Sequence, residues 1–184
     1  MREIMTKPKI ASDWICGCAG CHMSLLDMDE RILKIVELAD LRSTPITDLK
    51  EPDESGVDVG VLEGGINNSA NEEVAHKMRQ RSKILVALGD CAVFGGVPAM
   101  RNLCGVEAAL KRAYVEAESN EPGSQIPNDP ELATMTQTRA IHEVVPVDFN
   151  VPGCPPDADT IFYVLSELAQ GRKPEIKDEY LHWD

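Results

Sequence analysis

Residues 57–65 read "VDVGVLEGG", a nearly continuous apolar run that glycines bring to an end. That is the pattern of a strand covered on both faces, as in a parallel sheet, not the alternation of a half-solvated strand. Residues 83–90, "KILVALGD", repeat it, again with a glycine at the close. Between the two runs, Ser69 and Glu72 have the spacing of a capping box, which opens a helix lasting to about Ser82. Upstream, "PKIASDWIC" (8–16) reads as a short strand and, after a tight glycine-containing loop, "CHMSLLDMDERILKIVELAD" (21–40) as a helix, with Leu25, Met28, Ile32, Ile35, Val36 and Ala39 at helical spacing. Downstream, "GVEAALKRAYVEAES" (105–119) is a helix by composition, and "HEVVPVDFNVPG" (142–153) supplies the last strand. "PPDADTIFYVLSELAQG" (155–171) then gives a helix with Pro in its first turn, acids near its positive end, Ile161, Leu165 and Leu168 on one face, and Gly171 as the stop. Residues 120–139 carry three prolines and many polar residues, as expected of a long excursion. Strands that alternate with helices predict an α/β fold, a doubly wound parallel sheet with right-handed crossovers. At 184 residues, 43% of them hydrophobic, the chain suits a single domain over 1–172, followed by a C-terminal extension over 173–184.

Eighteen basic against thirty-one acidic residues leave a net charge of −13, which opposes unaided binding to phosphate backbones or anionic membranes. No nucleic acid partner is expected. No run approaches the length of about eighteen apolar residues that a membrane span needs, and the start lacks an apolar signal core and a twin arginine. The expectation is a cytoplasmic chain without a membrane span. In a reducing compartment, six cysteines point to metal binding or redox chemistry before disulfides.

In doubly wound sheets, functional loops gather outside the carboxyl ends of the strands. Cys16, Cys18 and Cys21 follow the first strand, Cys91 follows the strand ending at Leu88, and Cys154 follows the last strand. Three strands thus deliver thiols to one edge, where Cys18, Cys21, Cys91 and Cys154 can converge. Four thiolates suit a [4Fe–4S] cluster or a tetrahedral Zn²⁺. One CxxC and two single cysteines depart from the two-knuckle pattern of structural zinc, and Gly17, Gly20, Gly89 and Gly153 let backbone N–H groups approach the sulfurs. Both features favour the cluster. Pro155 and Pro156 stiffen the last loop and start its helix. The rivals are a thioredoxin-like thiol oxidoreductase using Cys18 and Cys21, which leaves Cys91 and Cys154 unexplained, and a zinc-stabilised interaction module.

In this order, "WICGCAGCHMSLLD" (14–27), "VLEGG" (61–65), "GDCAVFGG" (89–96) and "PGCPP" (152–156) resemble the small subunit of [NiFe]-hydrogenases over about residues 8–172. The resemblance implies a flavodoxin-like domain holding one [4Fe–4S] cluster on Cys18, Cys21, Cys91 and Cys154, with nickel and iron in a separate large subunit. Membrane-bound and periplasmic relatives carry a cysteine-rich C-terminal region for further clusters. Here thirty residues follow Cys154 and none is a cysteine. The short form is similar to cytoplasmic, bidirectional NAD-reducing hydrogenases, whose diaphorase subunits hold further clusters, FMN and NAD. It implies an electron relay with no catalytic residue in this chain. FMN on this chain is compatible with a flavodoxin-like fold, which alone does not establish it. Deazaflavin-reducing and heterodisulfide-reductase-linked relatives usually have extra cluster ligands. The complex I cluster subunit shares the "PGCPP" loop but has adjacent cysteines where this chain has "CAGC". Some standard hydrogenases place an acid implicated in proton transfer before the first ligand; Gly17 stands there.

Cys16 and Cys104 match no ligand and read as packed thiols, with Cys16 placed to tune or protect the cluster. Glu63 is either a carboxylate supporting the ligands, a subunit-facing acid or a solvated one. His22, His76, His142 and His182 have no metal spacing and read as surface or structural. Trp14 is expected to pack under the cluster loop. Interfaces are expected around 14–27, 89–104 and 152–157.

Overall fold

The protein is described from a computed structural model over residues 7–48, 54–177 and 180. His182 and most of the end of the expected extension lie outside the described residues. In chain order the strands are β1 (Lys9–Trp14), β2 (Asp40–Ser43), β3 (Val57–Glu63), β4 (Ile66–Asn68), β5 (Ser82–Leu88), β6 (Met135–Arg139) and β7 (Phe149–Val151). The helices are α1 (Gly20–Leu26), α2 (Ile32–Leu38), α3 (Ser69–Arg81), α4 (Asp90–Phe94), α5 (Val106–Tyr114) and α6 (Ala158–Ala169). Five strands form one sheet in the order β2-β1-β3-β5-β7, every neighbouring pair parallel. Counted within that sheet the order is 2-1-3-4-5, that of the flavodoxin-like doubly wound fold. The winding direction reverses between β1 and β3, so the crevice beyond their carboxyl ends is where such sheets bind ligands.

The apolar runs that predicted β3 and β5 are explained by two cores, one on each face of the sheet. Val59, Val61, Val86 and Leu88 pack with Met28, Ile35, Ile161 and Leu165 on one side. Leu62, Leu85 and Ala87 pack with Ile66, Ala75, Met78 and Ile141 on the other. A strand that must fill both has no solvent face and cannot alternate.

Elsewhere the chain corrects the sequence reading. The helix expected over 21–40 is two helices, because Asp29 adopts a left-handed φ of 52° and a 3₁₀ turn (Asp29–Arg31) separates them. Asp tolerates that conformation better than most residues. The break lets Met28 and Ile35 both reach the core while Val36 stays exposed. The strand β2 has no counterpart in the sequence pattern. The cap of α3 is Asn68, whose side-chain oxygen accepts the Asn71 N–H at 2.8 Å, and not Ser69; Glu72 instead pairs with Arg139 at 2.6 Å. The excursion over 120–139 ends in β6, which pairs antiparallel with β4. The helix expected over 105–119 stops at Tyr114. Likewise α6 begins after both prolines, capped by Asp157, which accepts the Thr160 N–H at 2.7 Å. Among the described residues no helix is long and apolar enough to cross a membrane.

Candidate metal centre

Beyond Trp14 the chain leaves β1 and pairs with the turn after β3. Ile15 N–H donates to the Glu63 carbonyl (2.9 Å), Cys16 N–H to the Gly65 carbonyl (3.1 Å), and Gly65 N–H returns to the Cys16 carbonyl (2.7 Å). These bonds lay the loop carrying Cys18 across the end of β3. Cys21 then sits in the first turn of α1. Cys91 occupies the first turn of α4, and Cys154 lies in the loop after β7.

The three loops clasp one another. Gly89 N–H donates to the Val151 carbonyl (2.7 Å), Asp90 N–H to the Gly153 carbonyl (2.8 Å), and Gly153 N–H to Asp90 Oδ1 (2.7 Å). The Ser24 hydroxyl donates to the Pro156 carbonyl at 2.6 Å, which ties α1 to the third loop. Two glycines make room for sulfur. Gly89 has φ 84°, and a Cβ there would lie 2.3 Å from Cys21 Sγ; Gly96 has φ 49°, and a Cβ there would lie 2.9 Å from Cys91 Sγ. No other residue type fits either place.

All six cysteines are free thiols: Cys21 is buried, Cys91 half-buried, and Cys18 and Cys154 exposed. Burial pushes the Cys21 thiol far up, and the Glu63 carboxylate and the thiols of Cys91, Cys18 and Cys154 push it further. Burial, then the neighbouring Cys154, raises Cys91 as well. Burial thus favours the neutral thiol at Cys21 and Cys91, and a cationic centre nearby would reverse that preference. Among the described residues, no three His, Cys, Asp or Glu side chains converge as one bound ion requires.

Beneath the loop lies a buried polar network that no spacing in the sequence reveals. Glu63 ends β3 with its side chain 2% exposed, and His22 is fully buried. Glu63 Oε2 accepts the His22 backbone N–H at 2.9 Å and meets His22 Nδ1 at 2.5 Å; Oε1 accepts the Cys21 N–H at 3.3 Å. The other ring nitrogen, Nε2, meets Ser12 Oγ at 3.0 Å. Burial raises the Glu63 carboxyl, but the hydrogen bonds and charge of His22 outweigh it and hold it below the usual range. Glu63 is thus a buried carboxylate behind the cysteine loop and not a solvated acid, and His22 is structural and not at the surface. His76 and His142 are exposed. Trp14 is 38% exposed and meets the His22 ring edge-on with centroids 5.4 Å apart.

Cys16 is half-buried, and the Asn67 side-chain N–H donates to its sulfur at 2.7 Å. Burial raises its thiol against the opposing effects of Arg101 and Asn67. Cys104 is exposed and donates to the Arg101 carbonyl at 3.3 Å, so it is not a packed thiol. After Cys91, four large apolar side chains close in sequence are exposed: Phe94, Val97, Met100 and Leu103.

Residues 18–168 match the family described as NADH ubiquinone oxidoreductase, 20 Kd subunit. The chain is 40% identical to the NAD-reducing hydrogenase HoxS subunit delta of Cupriavidus necator, over 97% of this chain and 86% of that protein. It is 38% identical to a subunit of the F420-non-reducing hydrogenase of Methanothermobacter marburgensis, over 92% of this chain but 56% of that protein, so it spans just over half the length of this archaeal relative. Among solved structures, an NAD⁺-reducing [NiFe]-hydrogenase in the H₂-reduced state superposes with a TM-score of 0.90 at 40% identity, over 97% of this chain and 99% of that one. A [NiFeSe]-hydrogenase of Desulfomicrobium baculatum, at 21% identity and a TM-score of 0.57, shares the fold. The chain belongs to the NADH ubiquinone oxidoreductase 20 kDa subunit family and, within it, is a hydrogenase subunit.

Proposed function

We propose that this chain is the electron-relay subunit of a cytoplasmic H₂:NAD⁺ oxidoreductase and holds one [4Fe–4S] cluster on Cys18, Cys21, Cys91 and Cys154. The observation that carries this reading is the clasp of three loops, from the ends of β1, β5 and β7, which brings four free thiols to the switch-point edge of the sheet. The likeness to NAD-reducing hydrogenases at 40% identity supports the choice of acceptor. When bound, a [4Fe–4S] cluster takes up and gives off one electron at a time.

The residues of this chain act around that group and supply no nucleophile or general base. The clasped loops fix the spacing of the sulfurs, and the glycines let sulfur and backbone approach closely. Water is kept out from below by the two cores. From above it is excluded by partners, which cover Phe94, Val97, Met100 and Leu103 beside Cys91. On this reading the large subunit carries nickel and iron and docks over that apolar surface, while diaphorase subunits hold further clusters, FMN and NAD. A two-thiol oxidoreductase built on Cys18 and Cys21 leaves the clasp of the Cys91 and Cys154 loops without a purpose.

The test is kinetic. The complex is purified anaerobically with its co-purifying subunits and assayed for H₂-dependent NAD⁺ reduction and, separately, for NADH oxidation by an artificial acceptor. Cys91→Ser is expected to abolish the first and spare the second. If the first survives in that variant, the relay reading fails.

A further inference from the structure

Resting on the reading that the four thiols hold a cluster, we infer that Glu63 is the positioning residue of the centre: its buried carboxylate, paired with His22, caps the helix that carries Cys21 and holds that ligand's backbone in place. A helix leaves its first amide groups without partners, and a side chain at the N-cap usually accepts from them. Here the N-cap is Ala19, which is in the left-handed region (φ 64°) and offers no acceptor. The cap comes from another strand. Glu63 takes the amides of both Cys21 and His22, forty-two and forty-one residues away in sequence.

The anchor is rigid. Glu63 is the last residue of β3, at the middle of the sheet, and pairs in register with Trp14 and Leu88. His22 grips the same carboxylate through Nδ1 while Ser12 fixes its Nε2, so the ring cannot turn. Three elements, β1, β3 and α1, therefore meet in one buried network directly behind a cluster ligand. A buried carboxylate persists only where such partners meet it. The loop above lies close: a Cβ at Gly17 would sit 3.7 Å from Glu63 Oε1.

The test compares Glu63→Gln and Glu63→Ala with the wild type in the intact complex. Hydrogen exchange is followed in peptides covering residues 15–26, and the cluster's midpoint potential is followed by EPR titration of the signal that Cys91→Ser removes. Exchange is expected to rise about tenfold or more in both variants, as loss of a charge-assisted hydrogen bond implies. The potential is expected to move in both variants, because the backbone that carries Cys21 is released. Should Glu63→Ala fail to fold, Glu63→Gln carries the test alone. Unchanged exchange, or faster exchange with an unmoved potential, would overturn the positioning role. Wild-type protein without iron and sulfide would sink the cluster reading, while the exchange comparison would still decide whether Glu63 holds the loop.

Discussion

The two ends of the sheet are finished differently. At the amino end, charges close on one another. Asp58 accepts the Lys9 backbone N–H and Lys83 Nζ, both at 2.7 Å, and Asp148 accepts the Leu85 N–H at 2.7 Å and Arg79 Nη1 at 2.5 Å. These polar groups find their partners within the chain. At the carboxyl end the loops are tied just as firmly, but what they present is incomplete: four free thiols and apolar side chains facing outward. On the proposed reading, the carboxyl end spends well-made hydrogen bonds on holding groups that are satisfied only when a metal centre and partners arrive.

The sharpest way to break this contrast is to remove one thiol at a time. Replacing Cys18, Cys21, Cys91 or Cys154 by Ser should each cost roughly a hundredfold or more in H₂-dependent NAD⁺ reduction, because on the proposed reading a relay that loses its one cluster has no other route. Cys104→Ser should match the wild type. Iron per chain, measured beside the rate, checks both.

Next comes the room left for sulfur. Gly89 and Gly105 have nearly the same backbone, φ 84°, ψ 163° and φ 83°, ψ 163°, in a region that essentially only glycine adopts. A Cβ at Gly89 strikes Cys21 Sγ, whereas one at Gly105 meets nothing within 4 Å. Gly105→Ala should therefore lose about 1–3 kcal/mol of stability from strain alone and keep its iron. Gly89→Ala should lose more and lose iron too. Denaturant melts with metal analysis separate the two effects, and equal losses would refute the idea that Gly89 exists to admit a sulfur.

A surface change sharpens the contrast without touching the loops. Leu103 is 88% exposed. Leu103→Lys should leave the melting temperature of the chain unaltered and weaken retention of the large subunit by about tenfold, as loss of one apolar anchor does. Quantitative co-purification reads this.

The smallest effect is expected at the amino end. Burial raises the Asp148 carboxyl, but Arg79 and the Leu85 amide overcome it and hold it below the usual range. A folded-state value below the unfolded one, about 3.9, means stability that is present above about pH 4 and lost as pH falls through the folded value. Since Asp148 is half exposed, solvent screening limits the worth of the pair to below about 1 kcal/mol. Asp148→Asn should melt slightly earlier than the wild type at pH 7, with the gap narrowing as pH falls below about 4, and with iron unchanged throughout.

What the sequence made legible follows the same division. The buried strands β3 and β5 show as apolar runs because each fills two cores. The cysteine positions could be placed on one edge because parallel strands send their following loops there. Less visible was whatever depends on partners far along the chain. The strand β2, "DLRS", is short, polar and at the sheet edge, so it carries no apolar signature. The break at Asp29 hides inside a helical periodicity that runs on through both helices. The side pair β4–β6 joins segments some seventy residues apart, neither with a run of its own. Glu63 and His22 are each conspicuous, but nothing in their spacing announces that they touch. A histidine directly after the second CxxC cysteine, and a glutamate ending the most buried strand, were the available signs.

The central claim, that the incomplete end of the sheet is completed by an iron–sulfur cluster, is tested most directly by anaerobic purification of the complex. Iron, acid-labile sulfide, zinc and nickel are measured together with the EPR spectrum after dithionite reduction. The account predicts about four irons and four sulfides per copy of this chain beyond those of its partners, nickel only in a larger co-purifying subunit, and a reduced-cluster signal that Cys91→Ser removes. Zinc without sulfide, or no metal at all, would contradict it.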